Sequence, residues 1–354
     1  MSCLTDPLFH REALRREFLS QAGFADADLD PLRPDASFRR YFRLTGSGKH
    51  WLLMDAPPES ENIEAYLRVA RHLTGLGLRA PKIGHTDTVN GFALVEDFGN
   101  DTFTALLNTG EDATHLYSPA VDLLVQIHQN PQASTIALPS YDLATLMAEA
   151  LLLPDWFVPL ITGNPVDPTA RTCYQEIWEN ALRHLPPPAT TLVLRDFHVD
   201  NLMRIQGNTP IQQIGLLDFQ DALIGPIAYD VLSLLEDARR DLPPSLVEQL
   251  HQQYLSAMPL LDVDNFNAWY RSLGAQRHCK VAGIFSRLAL RDDKPVYLEH
   301  IPRVIALLQQ HLNDPLLTPL GEWLDEVIPQ HQWTSLDPDL DQLRATLGLS
   351  QRSN

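Results

Sequence analysis

Asp196 and Asn201 lie in the run Leu194-Arg195-Asp196-Phe197-His198-Val199-Asp200-Asn201, and Asp218 follows in Leu216-Leu217-Asp218-Phe219-Gln220-Asp221. Phosphoryl transfer needs such groups at close quarters. A carboxylate must orient or deprotonate the attacking hydroxyl, oxygen ligands must hold Mg²⁺ on a triphosphate, and a rigid frame must keep both in line. Asp196 suits the first role, and Asn201 and Asp218 suit the second. A lone D-x-x-x-x-N says little, because Asp and Asn favour loops by bonding their own backbone. The information lies in a hairpin between two such loops, with Asp-Phe at the second. His198 and Asp200 do not make a zinc site, since no H-E-x-x-H and no third ligand stand nearby. His198 is expected as a buried loop histidine and is kept among the candidates for the substrate side.

The elements that must position these groups fall into two stretches. A helix at 10–22 places Phe18, Leu19 and Ala22 on one side and Arg15, Arg16 and Glu17 largely on the other. Strands at 38–44 and 51–54 flank a turn at 46–48, and Pro57-Pro58 ends the second of them. A helix at 60–76 precedes strands at 82–86 and 92–96, joined by a hairpin turn at Asn90-Gly91. Beyond Gly99 the periodicity is helical, at 115–129, 140–151, 168–184, 228–240, 244–256, 263–290 and 300–312. Short strands at 192–194, 202–205 and 213–217 interrupt it. The fold class is therefore α+β and bilobal, with a small antiparallel-sheet lobe at 1–97 and a large helical lobe at 98–354.

The run from Asp196 to Asp230 resembles the aminoglycoside phosphotransferase family, relatives of the protein kinases that act on small molecules. The catalytic loop of that family reads H-G-D-x-H-x-x-N. Asp196, His198 and Asn201 match it, whereas Leu194 and Arg195 replace the leading His-Gly. Asp218 to Ala222 resembles the family's metal loop, and Asp230 resembles its structural aspartate, for which a helix-capping role is expected. Asp35 to Arg43, Met54 to Pro58, Leu217 to Ala222, and Gln276 to His278 with Lys280 to Phe285 look like the N-acetylmuramate/N-acetylglucosamine kinases. That resemblance implies a protein-kinase-like fold and ATP with Mg²⁺ in a cleft. It further implies phosphorylation of the anomeric hydroxyl of a cell-wall amino sugar during peptidoglycan recycling, the product passing to a nucleotidyltransferase.

Two departures from a kinase stand out. The strand ending Leu53-Met54-Asp55 lacks the lysine that would hold ATP phosphates, and the chain's lysines, at 49, 82, 280 and 294, sit in no V-A-I-K-like setting. No G-x-G-x-x-G loop occurs either. Ser37, Phe38, Arg39 and Arg40 stand in its place, and Arg39 or Arg40 is expected to cover the triphosphate. The alternative is that Arg39 and Arg43 decorate the solvent face of a strand. Asp97-Phe98-Gly99 precedes the catalytic loop, the wrong chain order for a metal motif. Glu96 to Phe98 instead reads as the hinge whose backbone bonds the adenine edge.

Net charge is 27 − 45 = −18, which disfavours a nucleic-acid partner. Against that background, Arg277, His278 and Lys280 on one helix form a basic group suited to an anionic or neutral sugar. A polycationic aminoglycoside would favour a carboxylate-lined pocket. A non-catalytic binding module is the other rival, favoured by the missing lysine and opposed by the intact Asp196, Asn201 and Asp218. Cys3, Cys173 and Cys279 are scattered and suggest no disulfide framework. The apolar stretch at 148–162 is broken by Pro154, Asp155 and Pro159, so no membrane span is expected and the cytoplasm is the default location.

Overall fold

A computed structural model of the chain describes residues 7–32, 38–46, 50–334 and 338–349. Ser37 and the turn at 47–48 lie outside the described residues. The chain forms two compact units, one of Met1–Ala137 with Leu194–Ala222 and the other of Leu138–Val193 with Leu223–Asn354. The sheet ends at Glu96, close to the lobe boundary expected at residue 97, but the compact units divide elsewhere.

In the first unit, α1 (Pro7–Gln21) precedes β1 (Asp28–Pro31), β2 (Arg40–Thr45) and β3 (Trp51–Asp55). Next come α2 (Ile63–Gly75), β4 (Ile83–Asp87) and β5 (Phe92–Glu96), then α3 (Phe103–Asn108) and α4 (Ala113–Gln129). The five strands form one antiparallel sheet in the order β1-β2-β3-β5-β4. Phe18 and Leu19 of α1 pack on Leu44, Leu53, Phe92 and Leu94 of the sheet. The short edge strand β1 carries two acids and a proline, so no alternating apolar pattern announces it. Helix α2 starts later than expected because Asn62 caps it, its side chain accepting from the Ala65 amide at 3.1 Å.

The second unit begins with α5 (Leu143–Ala150), α6 (Val158–Thr162), α7 (Pro168–His184) and β6 (Thr190–Val193). The chain then returns to the first unit for β7 (Leu202–Arg204) and β8 (Ile214–Leu216), which pair as an antiparallel hairpin. Back in the second unit follow β9 (Leu223–Pro226), α8 (Ala228–Leu235), α9 (Pro244–Ala257) and α10 (Val263–Arg291). The last elements are α11 (Ile301–His311), α12 (Thr318–Val327) and α13 (Leu340–Thr346). Strand β6 pairs with β9, Val193 opposite Leu223. Helix α7 has the expected bounds because Asp167 caps it and Pro168 opens it. Helix α8 stops at Leu235 instead of running to 240, since Glu236 leaves helical geometry at φ −119° and ψ 48°. Asp230 lies buried in the first turn of α8 instead of at its cap, which is Ile227. The run Leu143–Thr162 is long and apolar enough to cross a membrane by length and composition, and 56% of it is buried within the protein. A π-helical turn at Leu153–Phe157 joins its two helices.

Candidate active site

The first unit contains Asp196, Asn201 and Asp218. Their loops are tied to each other through backbone. The Asn201 side-chain amide donates to the Asp196 carbonyl at 2.9 Å, and the Leu217 amide donates to the Asn201 carbonyl at 2.9 Å. Tight turns lock the candidate catalytic loop, with His198 N–H on Asp196 O at 3.1 Å and Asn201 N–H on His198 O at 2.9 Å. Thr104 of α3 donates its hydroxyl to Asp200. Arg195 and Asp218 sit at φ 70° and 55°, two of only three non-glycine residues with positive φ among the described residues. That conformation is uncommon outside glycine and concentrates where a structure over-determines a functional side chain. Phe219, the residue after Asp218, is buried and stacks on Tyr66 of α2 with ring centroids 5.0 Å apart. The ring contact holds the metal-loop candidate against the sheet-side helix.

Asp218 is not open on all sides. Its Oδ1 accepts from Arg39 Nη2 at 2.9 Å and from Gln220 Nε2 at 3.0 Å. Arg39 is 7% exposed, and its Nε lies 3.8 Å from Glu61 Oε2. Burial disfavours the charge on Arg39, but Tyr41, Asp218, Glu61 and Asp221 outweigh it and raise the guanidinium pKa above its ordinary value. The solvent-face alternative thus fails for Arg39, which points inward. Arg40 is exposed and pairs across the sheet with Asp55.

Asp55, at the strand end that lacks a lysine, is 2% exposed and has a structural partner set. Arg11 donates to its Oδ1 at 2.9 and 2.6 Å, and Arg15 to its Oδ2 at 3.2 and 3.0 Å. Arg15, expected on the polar side of α1, instead faces the sheet, its guanidinium 4.3 Å from the Phe42 ring. The carboxylate at this position docks α1 onto β3.

The hinge candidates behave unequally. The Glu96 amide donates to Lys82 O at 2.9 Å, and the Asp97 amide to His50 O at 3.1 Å. Arg43 clamps the run by donating to Asp97 Oδ1 at 3.0 Å, Gly99 O at 3.2 Å and Asn100 Oδ1 at 3.0 Å. Phe98 packs on β8, where a Cβ at Gly215 would lie 2.6 Å from its ring, so only glycine admits it there. His198 is buried as expected. Its Nδ1 has no hydrogen-bond partner among the described residues and lies 4.0 Å from the Asp200 carboxylate.

In the second unit, Arg277 and Lys280 converge on the Tyr229 hydroxyl, at 2.9 and 3.2 Å. Lys280 also pairs with Glu149 at 2.9 Å. His278 turns elsewhere. Its Nε2 and the Nε2 of His311 both meet Glu236 Oε2, at 2.8 and 2.7 Å. These three are the one cluster among the described residues with metal-ligand spacing. A metal on the His278 Nε2 would force a proton onto Nδ1, which is buried without an acceptor among the described residues. The arrangement suits a carboxylate accepting two imidazole N–H groups. A Cβ at Gly274 would lie 2.1 Å from His311 Nε2, so the glycine makes room for it.

Reasoning from sequence missed Glu61, Gln220 and the Arg43 clamp. Their signal is weak: each is an ordinary polar residue beside a motif, and its partner is set by the fold.

A family model described as "Phosphotransferase enzyme family" matches residues 28–264. An N-acetylmuramate/N-acetylglucosamine kinase from Caulobacter vibrioides is 33% identical over 353 residues, covering 90% of this chain and 97% of its own length. A protein of the same name from Neisseria meningitidis serogroup B is 38% identical over 295 residues, covering 80% and 86%. Among solved structures, a choline kinase from Streptococcus pneumoniae superposes with a TM-score of 0.59 at 11% identity, covering 85% of this chain and 99% of its own. At that identity the likeness speaks for a kinase-like α+β fold alone.

Proposed function

Because the chain belongs to the phosphotransferase enzyme family, we propose that it is an ATP-dependent kinase of N-acetylmuramate and N-acetylglucosamine that acts on the anomeric hydroxyl. The observation that carries the substrate is the likeness to proteins of that name over 90% of the chain. Asp196 orients the sugar hydroxyl and accepts its proton as the oxygen attacks the terminal phosphorus of ATP, whose bond to the bridging oxygen breaks so that ADP leaves. An anomeric hydroxyl is more acidic than an ordinary alcohol, so a carboxylate of ordinary basicity suffices.

Asn201 and Asp218 are the groups to hold Mg²⁺, which supplies neutralisation of triphosphate charge when bound. The donor set fits, because both are hard oxygen ligands. The bond from Asn201 Nδ2 to the Asp196 carbonyl fixes the amide so that its oxygen remains the acceptor. Arg39 replaces the missing lysine near the phosphates. With the Glu96 and Asp97 amides already paired, the Phe98 backbone is the group left to read the adenine edge. His278 is committed to Glu236 and Lys280 to Glu149, so the lactyl carboxylate of N-acetylmuramate falls to Arg277, whose Nη1 meets the neutral Tyr229 hydroxyl.

The reading further assigns the protein to the cytoplasm, where ATP is found. There the 1-phosphate would feed an enzyme that transfers a nucleotidyl group to it. The test is ³¹P NMR of product after incubation with ATP, Mg²⁺ and N-acetylmuramate, N-acetylglucosamine or kanamycin in parallel. An anomeric phosphate on either amino sugar is the expected result. Phosphorylation of kanamycin alone overturns the substrate assignment.

A further inference from the structure

The contact between Arg39 and Asp218 has a cost once Asp218 becomes a metal ligand, because a guanidinium and a divalent cation cannot share one carboxylate oxygen without repulsion. Arg39 Nη2 holds Asp218 Oδ1 at 2.9 Å. The Nε of the same guanidinium is buried with no hydrogen-bond partner among the described residues, a rare and unfavourable state. The nearest acid on that side is Glu61, whose Oε2 lies 3.8 Å from Nε, beyond hydrogen-bond range. Glu61 is itself held in place, since its Oε1 accepts the Phe38 amide at 2.9 Å. It directly precedes Asn62, the cap of α2. One carboxylate is therefore fixed in front of an unmade bond to a buried donor.

We propose that Arg39 is the resident counter-ion of Asp218 in the nucleotide-free protein, and that Glu61 is the positioning residue that takes it over when Asp218 turns to the metal. The inference rests on Asp218 being a metal ligand. A shift of the guanidinium toward Glu61 satisfies Nε and takes the cation off Asp218 Oδ1, leaving there the neutral Gln220 amide at 3.0 Å. It keeps the cation beside the phosphates instead of on the metal site. Glu61 touches neither substrate nor metal and acts only through Arg39.

The test is Mn²⁺ binding followed by electron paramagnetic resonance, with the non-hydrolysable analogue AMP-PNP at saturation, so that turnover plays no part. Glu61→Gln is expected to weaken Mn²⁺ about tenfold in the wild-type background and to have no effect in the Arg39→Ala background. Without Arg39 there is nothing to hand over. In the nucleotide-free protein, Arg39→Ala is expected to tighten Mn²⁺ binding. Equal losses from Glu61→Gln in both backgrounds would mean that Glu61 merely supports Phe38 and α2, and would overturn the proposal. Asp218→Asn separates the two levels of inference. Unchanged Mn²⁺ affinity in that variant refutes the ligand assignment itself, whereas lost affinity together with equal Glu61 effects refutes only the hand-over. Glu61→Asp, shorter by one methylene, gives the same comparison should Glu61→Gln fail to fold.

Discussion

Replacing Glu236 by Gln isolates the charge at the centre of the Glu236, His278 and His311 cluster while keeping an acceptor oxygen. The carboxylate is almost wholly buried, and burial alone would raise its pKa. Hydrogen bonds from His278 and His311 reverse that and hold it far below the usual carboxylate range. His278 is pushed below the ordinary imidazole value by burial, partly offset by Glu236. Two charge-assisted bonds, each about 1 to 1.5 kcal/mol stronger than their neutral counterparts, put the cost of Glu236→Gln at about 2–3 kcal/mol. For a unit of this size that is roughly 5–10 °C in melting temperature. The pH dependence carries a sign. An imidazole whose folded pKa is depressed loses stabilisation as pH falls below its unfolded value of about 6.5. Removing the carboxylate depresses it further, so the variant suffers more, by about 1.4 kcal/mol per additional pKa unit. The gap between wild type and variant therefore widens from pH 7.5 toward pH 5. Below about pH 4 it closes again, because the unfolded Glu236 takes up a proton that the folded carboxylate resists. Differential scanning fluorimetry across pH 3.5–8 measures this. A variant that melts within a degree of wild type at pH 7.5, or a gap that stays constant with pH, would refute the reasoning.

Asp196→Asn should cut turnover by about 10²- to 10⁴-fold while isothermal titration shows nucleotide binding intact; near wild-type turnover would remove it as the base. Asn201→Ala and Asp218→Ala should both lose Mg²⁺-dependent activity, Asp218 more severely, with partial recovery in excess Mn²⁺; a collapsed melt in both variants would assign them structural roles instead. Arg15→Ala leaves the buried Asp55 with Arg11 alone and should cost about 1.5–3 kcal/mol in a denaturant titration, and a loss below about 0.5 kcal/mol would show that Arg11 suffices. Arg277→Met should raise the KM for N-acetylmuramate far more than for N-acetylglucosamine, which has no lactyl carboxylate, and equal changes would exclude that contact.

The parts legible in the sequence are those whose partners lie close along the chain. The hairpin around Asp196, Asn201 and Asp218 announces itself through short apolar runs ending in Asp and Asn, and Asp167-Pro168 marks the start of α7. What escaped depends on distant pairing. Asp55 reads as an exposed strand end until Arg11 and Arg15, 44 and 40 residues away, arrive on it from α1. Arg39 meets Asp218 across 179 residues, so its direction could be inferred only as a need for positive charge. Helix α8 reads as longer because its apolar period continues past Leu235. Glu236 turns out of it where it meets two imidazoles from α10 and α11, partners 42 and 75 residues away.

The path of the chain through its two compact units bears on how the protein is made. The stretch Leu194–Ala222 leaves the second unit at Val193, completes the first, and returns at Leu223. Val193 and Leu223 are register partners, so the excursion is tied off at its base. During synthesis the first 137 residues emerge without the segment that finishes their fold. Until Asp218 leaves the ribosome, Arg39 lacks its closest carboxylate and Tyr66 lacks the ring it stacks on. The nascent sheet is thus held in an unfinished state for about eighty residues of translation, several seconds or more at ordinary elongation rates. The loop of Asp196 and Asn201 and the unit that carries it are therefore completed together, and a partly made chain lacks that loop altogether.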